Sequence, residues 1–171
     1  PCLGFDGASA SQQNYRVLMQ RFWGFYAPLE ETLWARDWNF ENYRAAERRK
    51  TPLLQRDLSA LGSAPHEQKT LVRCADLPAL NSRAQVLGCS YVLEGATLGG
   101  QIIARHLRKT LDIGPENGGA FFASYGQNIG PMWQNFRVLI TSQVIHEKDC
   151  RLAIDTAQQT FETFHAWLRA G

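Results

Sequence analysis

Net charge is nearly absent from this chain: 18 basic residues against 16 acidic ones leave +2 over 171 positions. So small an imbalance argues against a nucleic-acid surface. The basic residues are scattered, and the one tight cluster, Arg48-Arg49-Lys50, reads as a solvated helix end rather than a binding patch. Long apolar runs are missing too. None reaches the roughly 18 residues of a membrane span, and Pro1-Cys2-Leu3-Gly4 has neither the basic start nor the apolar stretch of a signal peptide. Cys2, Cys74, Cys89 and Cys150 show no C-x-x-C spacing, which speaks against zinc and for reduced thiols in a cytoplasmic protein. There is no alternating strand pattern, no repeat and no low-complexity linker. No nucleophile setting for Ser-His-Asp catalysis is recognisable, and no glycine-rich loop follows a strand to cradle phosphate. Glu162-x-x-His165 is a single Glu-x-x-His motif, whereas a di-iron bundle needs two.

What is present is helical periodicity. The length suits one domain, residues 1–171, with a real core. From Gln12 to about Ala35, Tyr15, Leu18, Phe22, Phe25, Leu29 and Leu33 recur at steps of three and four, with Ser11 as N-cap and Pro28 bending the rod. A shorter helix is expected from Phe40 to Arg49, stopping near Thr51-Pro52. Leu53, Leu54, Leu58 and Leu61 continue an apolar stripe that Gly62 ends. Residues 62–80 read mostly as a connection. Asn81 or Ser82 then caps a helix running to about Leu111, followed by a loop from Ile113 to Gly119. Gly130-Pro131 opens the next helix, whose inner face is Trp133, Phe136, Ile140 and Val144. Asp149 starts the last, with Ile154, Ala157, Phe161, Phe164 and Leu168 inward. The fold expected is an all-α, single-domain helical bundle.

One helix carries an unusual burden. Gly88, Gly95, Gly99 and Gly100 all fall inside it. Each costs about 0.8–1 kcal/mol relative to alanine, roughly 3–4 kcal/mol together. Tight packing against another backbone would offset that, and so would a flat ligand lying on bare backbone. The spacing alone does not choose between them.

The segment Tyr91-Val92-Leu93-Glu94-Gly95-Ala96-Thr97-Leu98-Gly99-Gly100-Gln101 resembles the distal-helix signature of haem oxygenases, particularly bacterial ones that make biliverdin for phytochromes. Phe25 to Glu30, the Phe122 to Gly126 turn, the Trp133 to Phe136 helix and the closing Phe161 helix resemble the same family, in the same order. The resemblance implies a haem-oxygenase-like bundle in which haem is both cofactor and substrate, opened with O2 and reducing equivalents to biliverdin, carbon monoxide and ferrous iron. It implies that Gly95, Gly99 and Gly100 cover the oxygen side as catalytic backbone, beside Tyr91. Arg137, and more weakly Arg16 and Arg21, would meet the propionates. Phe161 would pack on the haem plane and Phe5 on its proximal side. An electron donor such as ferredoxin or a reductase is implied, with a bacterial phytochrome as biliverdin acceptor; nucleic acid and membrane are not.

Two departures stand out. Many members place an aspartate directly after the first distal glycine to organise water, and here that position is Ala96. The proximal histidine of the family would fall before Pro1, so the start of the proximal helix is expected to lie outside the sequence. His66, His106, His146 and His165 do not fit that role, and Cys2, the nearest thiolate, is a weak substitute. The sequence thus implies a haem oxygenase; the alternatives are a non-catalytic haem- or biliverdin-binding protein of the same fold, or a bundle whose glycines serve only packing.

Overall fold

The computed structural model describes residues 11–35, 37, 38, 40 and 43–170, and the expectations for Cys2 and Phe5 lie outside that set. The described residues form helices and connections, without a strand.

Helix α1 spans Gln12–Leu33 and is capped by Ser11, whose hydroxyl accepts from the Asn14 N–H at 3.1 Å. Tyr15, Met19, Phe22, Tyr26, Leu29 and Leu33 follow one another at steps of four and three, and all are buried. Pro28 lies inside the helix and has no N–H to give the carbonyl of Gly24, four residues back. That carbonyl accepts from the Cys74 N–H at 2.8 Å instead. A side chain at Gly24 would strike the Val72 carbonyl and the Trp167 ring, so this glycine permits the close approach.

The helix expected from Phe40 to Arg49 shrinks to α2, Ala45–Arg48. Arg48 turns inward to the Glu94 carboxylate and Lys50 to the Tyr125 ring here, and an uninterrupted helix would not bury both. Helix α3, Thr51–Ala60, carries proline in its first turn, and its chain reverses through Gly62 at φ +87°, with the Ser63 N–H on the Leu58 carbonyl at 2.9 Å. The connection that follows holds one short helix, α4, Pro65–Lys69.

Helix α5, Arg83–Leu111, is the centre of the bundle; it packs along α8 and also touches α6 and α7. Ser82 caps it by accepting from the Gln85 N–H, and Asp112 ends it in the left-handed region at φ 52°. It is long and apolar enough to cross a membrane by length and composition, yet half of that window is packed inside the domain.

Helix α6, Ala120–Ala123, is one turn held by a distant acid. The Asp57 carboxylate of α3 accepts from the N–H groups of Ala120 at 2.8 Å and Phe121 at 2.7 Å. Burial pushes the Asp57 carboxyl up to about 6, against the pull of those two donors. After a 3-10 turn at Gly126–Asn128 come α7, Ile129–Gln143, and α8, Glu147–Arg169.

Helix α8 starts two residues before the expected Asp149, and its buried face differs from the apolar stripe. Ala153, Thr156 and Thr160 face α5, whereas Ile154 and Phe161 point to solvent. The reason is at Gly88, where any Cβ would overlap the backbone of Ala153. The two helices cross too closely for large side chains, and each threonine hydroxyl donates to the carbonyl four residues back at 2.7 Å, so it buries without an unpaired group. Gly88→Ala should therefore destabilise the fold by about 2 kcal/mol despite its helix propensity gain, which a urea midpoint would register. An unchanged midpoint would refute the close crossing.

Candidate active site

The four glycines of α5 meet four different surroundings. Gly88 is consumed by the crossing with α8. At Gly100 a Cβ would press on the Phe122 carbonyl at 3.0 Å, so this glycine admits the backbone of α6. Among the described residues, Gly95 faces only the Trp133 ring, at an ordinary contact distance of 3.7 Å, and nothing lies within 4 Å of the position a Cβ would take at Gly99. Close packing thus explains Gly88 and Gly100 but not Gly95 and Gly99.

Gly95 and Gly99 belong to a face that the protein leaves open. Tyr91, Leu98 and Ile102 share their side of α5 at helical spacing and are exposed, Ile102 by 65%. The Tyr91 ring lies 5.3 Å from Trp133 of α7, which stacks on Phe136. Arg137 is one residue beyond Phe136 and one turn beyond Trp133, exposed, with no carboxylate partner among the described residues. Phe161 is 63% exposed on α8. Arg16 is half-buried on α1. Arg21 is occupied by Trp167, donating to its carbonyl and lying over its ring, and so is not free for an anion.

Beside Gly99 and Gly100 the open face leads into a cleft of about 200 Å³. Its walls are Phe22 and Tyr26 of α1, Ala96, Thr97 and Ile103 of α5, Phe121 and Phe122 of α6, and Phe164 of α8. Phe22 meets Phe121, Phe122 and Phe164 edge-on at 5.1–5.6 Å, an arrangement that favours positive ring edges against negative faces. The aromatic that α8 sends into the cleft is therefore Phe164, one turn past Phe161. At the cleft's inner end lies Lys50.

Lys50 and Arg48 correct the sequence reading of a solvated basic cluster. Arg48 is 5% exposed and pairs with Glu94 at 2.7 Å, its guanidinium 4.6 Å from the Tyr43 ring centre. Glu94 also accepts from the Tyr125 hydroxyl at 2.8 Å. Burial, followed by the adjacent Glu94 charge, pushes the Tyr125 hydroxyl far up, so it stays protonated. Lys50 is fixed through its backbone: its N–H donates to Glu30 at 2.6 Å, and the Thr51 N–H donates to the same carboxylate at 3.1 Å. Only Arg49 of the three is exposed. The sequence signal for this was one Glu preceding Gly95 and another, Glu30, within an apolar helix face.

None of the four histidines lines the cleft: His66 is on α4, His106 lies beyond the glycines, His146 immediately precedes α8, and His165 is exposed. Among the described residues no group of His, Cys, Asp and Glu could hold a bare metal ion. The Cys89 thiol, buried between helices, is pushed up to about 12 and is inert as a nucleophile.

Known proteins resemble this chain in sequence and in fold. The family profile described as "Heme oxygenase" matches residues 4–170. A heme oxygenase of Xanthomonas campestris pv. campestris (strain 8004) is 32% identical over 123 residues, covering 72% of this chain and 69% of that protein. The crystal structure of NO- and CO-bound heme oxygenase from Neisseria meningitidis superposes with a TM-score of 0.78 at 20% identity, over 94% of this chain and 77% of that one, a likeness of fold. A bare-backbone helix face opening on an aromatic cleft, within a profile match spanning nearly every residue, places this chain in the haem oxygenase family of haem-degrading enzymes.

Proposed function

We propose that the chain binds haem across the Tyr91–Gly95–Gly99–Ile102 face of α5 and catalyses its opening to biliverdin, carbon monoxide and ferrous iron. The observation that carries the reading is the space at Gly99: a helix interior gives up a side chain there with nothing among the described residues to fill it, and at Gly95 only the Trp133 ring lies near. The residues fit a porphyrin in other respects. Its apolar plane would meet Tyr91, Leu98, Ile102 and Phe161, large side chains otherwise left in water. Arg137 would answer a propionate, with Arg16 a second candidate.

The cleft itself is smaller than the roughly 300–1,000 Å³ of pockets that enclose whole ligands. Its room would suit small molecules beside a bound porphyrin, O2 and a few waters. The haem and its iron supply the redox chemistry. The chain supplies the rest: Gly95 and Gly99 admit the plane, Gly100 holds α6 close, and the Phe22–Phe121–Phe122–Phe164 wall excludes bulk water. Reducing equivalents come from a ferredoxin or reductase, and a bacterial phytochrome is the acceptor that biliverdin fits.

Haemin titration tests this. It should give a sharp Soret band, with or without added imidazole as an axial nitrogen, and ascorbate with oxygen should convert that band to a biliverdin spectrum. Binding without turnover under both conditions would favour a tetrapyrrole carrier, and no band at all would refute the site.

A further inference from the structure

Lys50 is the one cation among the described residues that lines the cleft, and it is poorly accounted for by the protein around it. It is 2% exposed, and its ammonium has no hydrogen-bond acceptor among the described residues. It lies over the Tyr125 ring, 3.5 Å from Nζ to the centroid. A buried ammonium with none of its three donors satisfied is costly, and such groups are normally paired or hydrogen-bonded. The residue is not there by slack, since Glu30 pins its backbone and α3 begins at the next position. The rest of the lining offers little polarity: the Thr97 hydroxyl is spent on the Glu94 carbonyl at 2.6 Å, and the position facing the cleft between Gly95 and Thr97 is Ala96.

We propose that Lys50 is a positioning residue for the oxygen side of bound haem: its ammonium holds water in the cleft and, through it, donates a hydrogen bond towards the ligand on the iron. This rests on the haem reading given above. The cleft has room for several waters at roughly 30 Å³ each, and a water there gains the donors that Lys50 cannot place on protein. No net proton transfer is required; the ammonium stays charged and orients the water's own hydrogens.

The charge on Lys50 is tunable. Burial pulls its ammonium down to about 8, while Glu94 and Glu30 hold it up against that fall and Arg48 adds to it. The charged groups acting on it are Glu94 from α5, Glu30 from α1 and Arg48 from α2, with the Tyr125 ring against it and Tyr26 lining the same cleft. The tyrosines stay protonated, because burial pushes Tyr26, Tyr43 and Tyr125 above the range concerned. A signal with a midpoint near 8 therefore belongs to Lys50.

The test uses the C–O stretch of the ferrous carbon monoxide complex, a field-sensitive reporter independent of turnover. In the wild-type chain the band should sit low at pH 6.5 and rise as Lys50 loses its proton, with a midpoint near 8. Lys50→Met should hold the high frequency at both ends of the range, and Lys50→Arg the low one. The apo-protein gives a second readout. A base whose folded value lies below its unfolded one makes the fold more stable as pH rises between the two, here from about 8 to about 10.5. That rise should vanish in Lys50→Met, which should be no less stable than wild type at pH 7. Identical C–O bands and pH profiles in wild type and Lys50→Met would overturn the proposal while leaving the haem reading intact. Failure to form any haem complex would overturn both.

Discussion

Gly99→Leu should abolish haem binding while leaving the apo-protein at least as stable as wild type. The position is an exposed helix interior with no described residue within 4 Å of where a Cβ would sit, so leucine is expected to fit and to recover close to 1 kcal/mol of helix propensity. On the haem-bound side the same side chain occupies the layer between backbone and porphyrin plane. The two cannot coexist without lifting the ligand off the helix, and haem affinity should drop by at least about 100-fold, equivalent to roughly 2.7 kcal/mol. Haemin titration followed by the Soret band, alongside thermal melting of the apo-protein, reads both halves. Undiminished affinity would mean that the open face serves something else. A lowered melting temperature would restore the purely structural explanation of these glycines.

Removing the carboxylate of Glu94 should be the most damaging single change to the fold. Its partner Arg48 is as deeply buried as it is, and the pair is joined at 2.7 Å with the Tyr125 hydroxyl on the other oxygen. Glu94→Ala leaves the guanidinium charged, dehydrated and without a counter-ion, which costs about 3–5 kcal/mol. The double variant Arg48→Met/Glu94→Leu removes both charges and should recover most of that loss, since a buried pair is often no more stable than apolar groups of its volume. Urea unfolding of the three proteins decides it. If Glu94→Ala unfolds within 1 kcal/mol of wild type, the pair is not as isolated from water as its burial implies.

Much of this architecture is legible in the sequence because it depends on local rules. Ser11 and Ser82 cap the helices expected of them, the spacing of Tyr15, Phe22 and Leu29 states which side of α1 is inside, and Gly62 stands where a left-handed residue is needed. What was not legible depends on distant partners. Arg48 and Lys50 look like surface charges until Glu94 and Glu30 are brought to them from 46 and 20 residues away. Ile154 and Phe161 carry the right period for a core face, yet the crossing at Gly88 admits only Ala153 and the threonines. At the site, the glycine pattern announced bare backbone, but only the space around each glycine separates packing from an open face. Lys50 reads as one of a solvated cluster and Phe164 as one of a core stripe, because a single lysine and one phenylalanine among several carry no pattern that marks a cleft.

The proline of α1 has an effect that reaches well beyond its own turn. By leaving the Gly24 carbonyl without a helical donor, Pro28 creates a socket on the surface of the rod, and the amide of Cys74 is the plug. One missing donor in α1 thereby helps fix where the 71–80 stretch docks. An alanine in its place would heal the helical ladder and set two donors in competition for one oxygen, so the cost of a more regular helix would be borne by the connection lying across it.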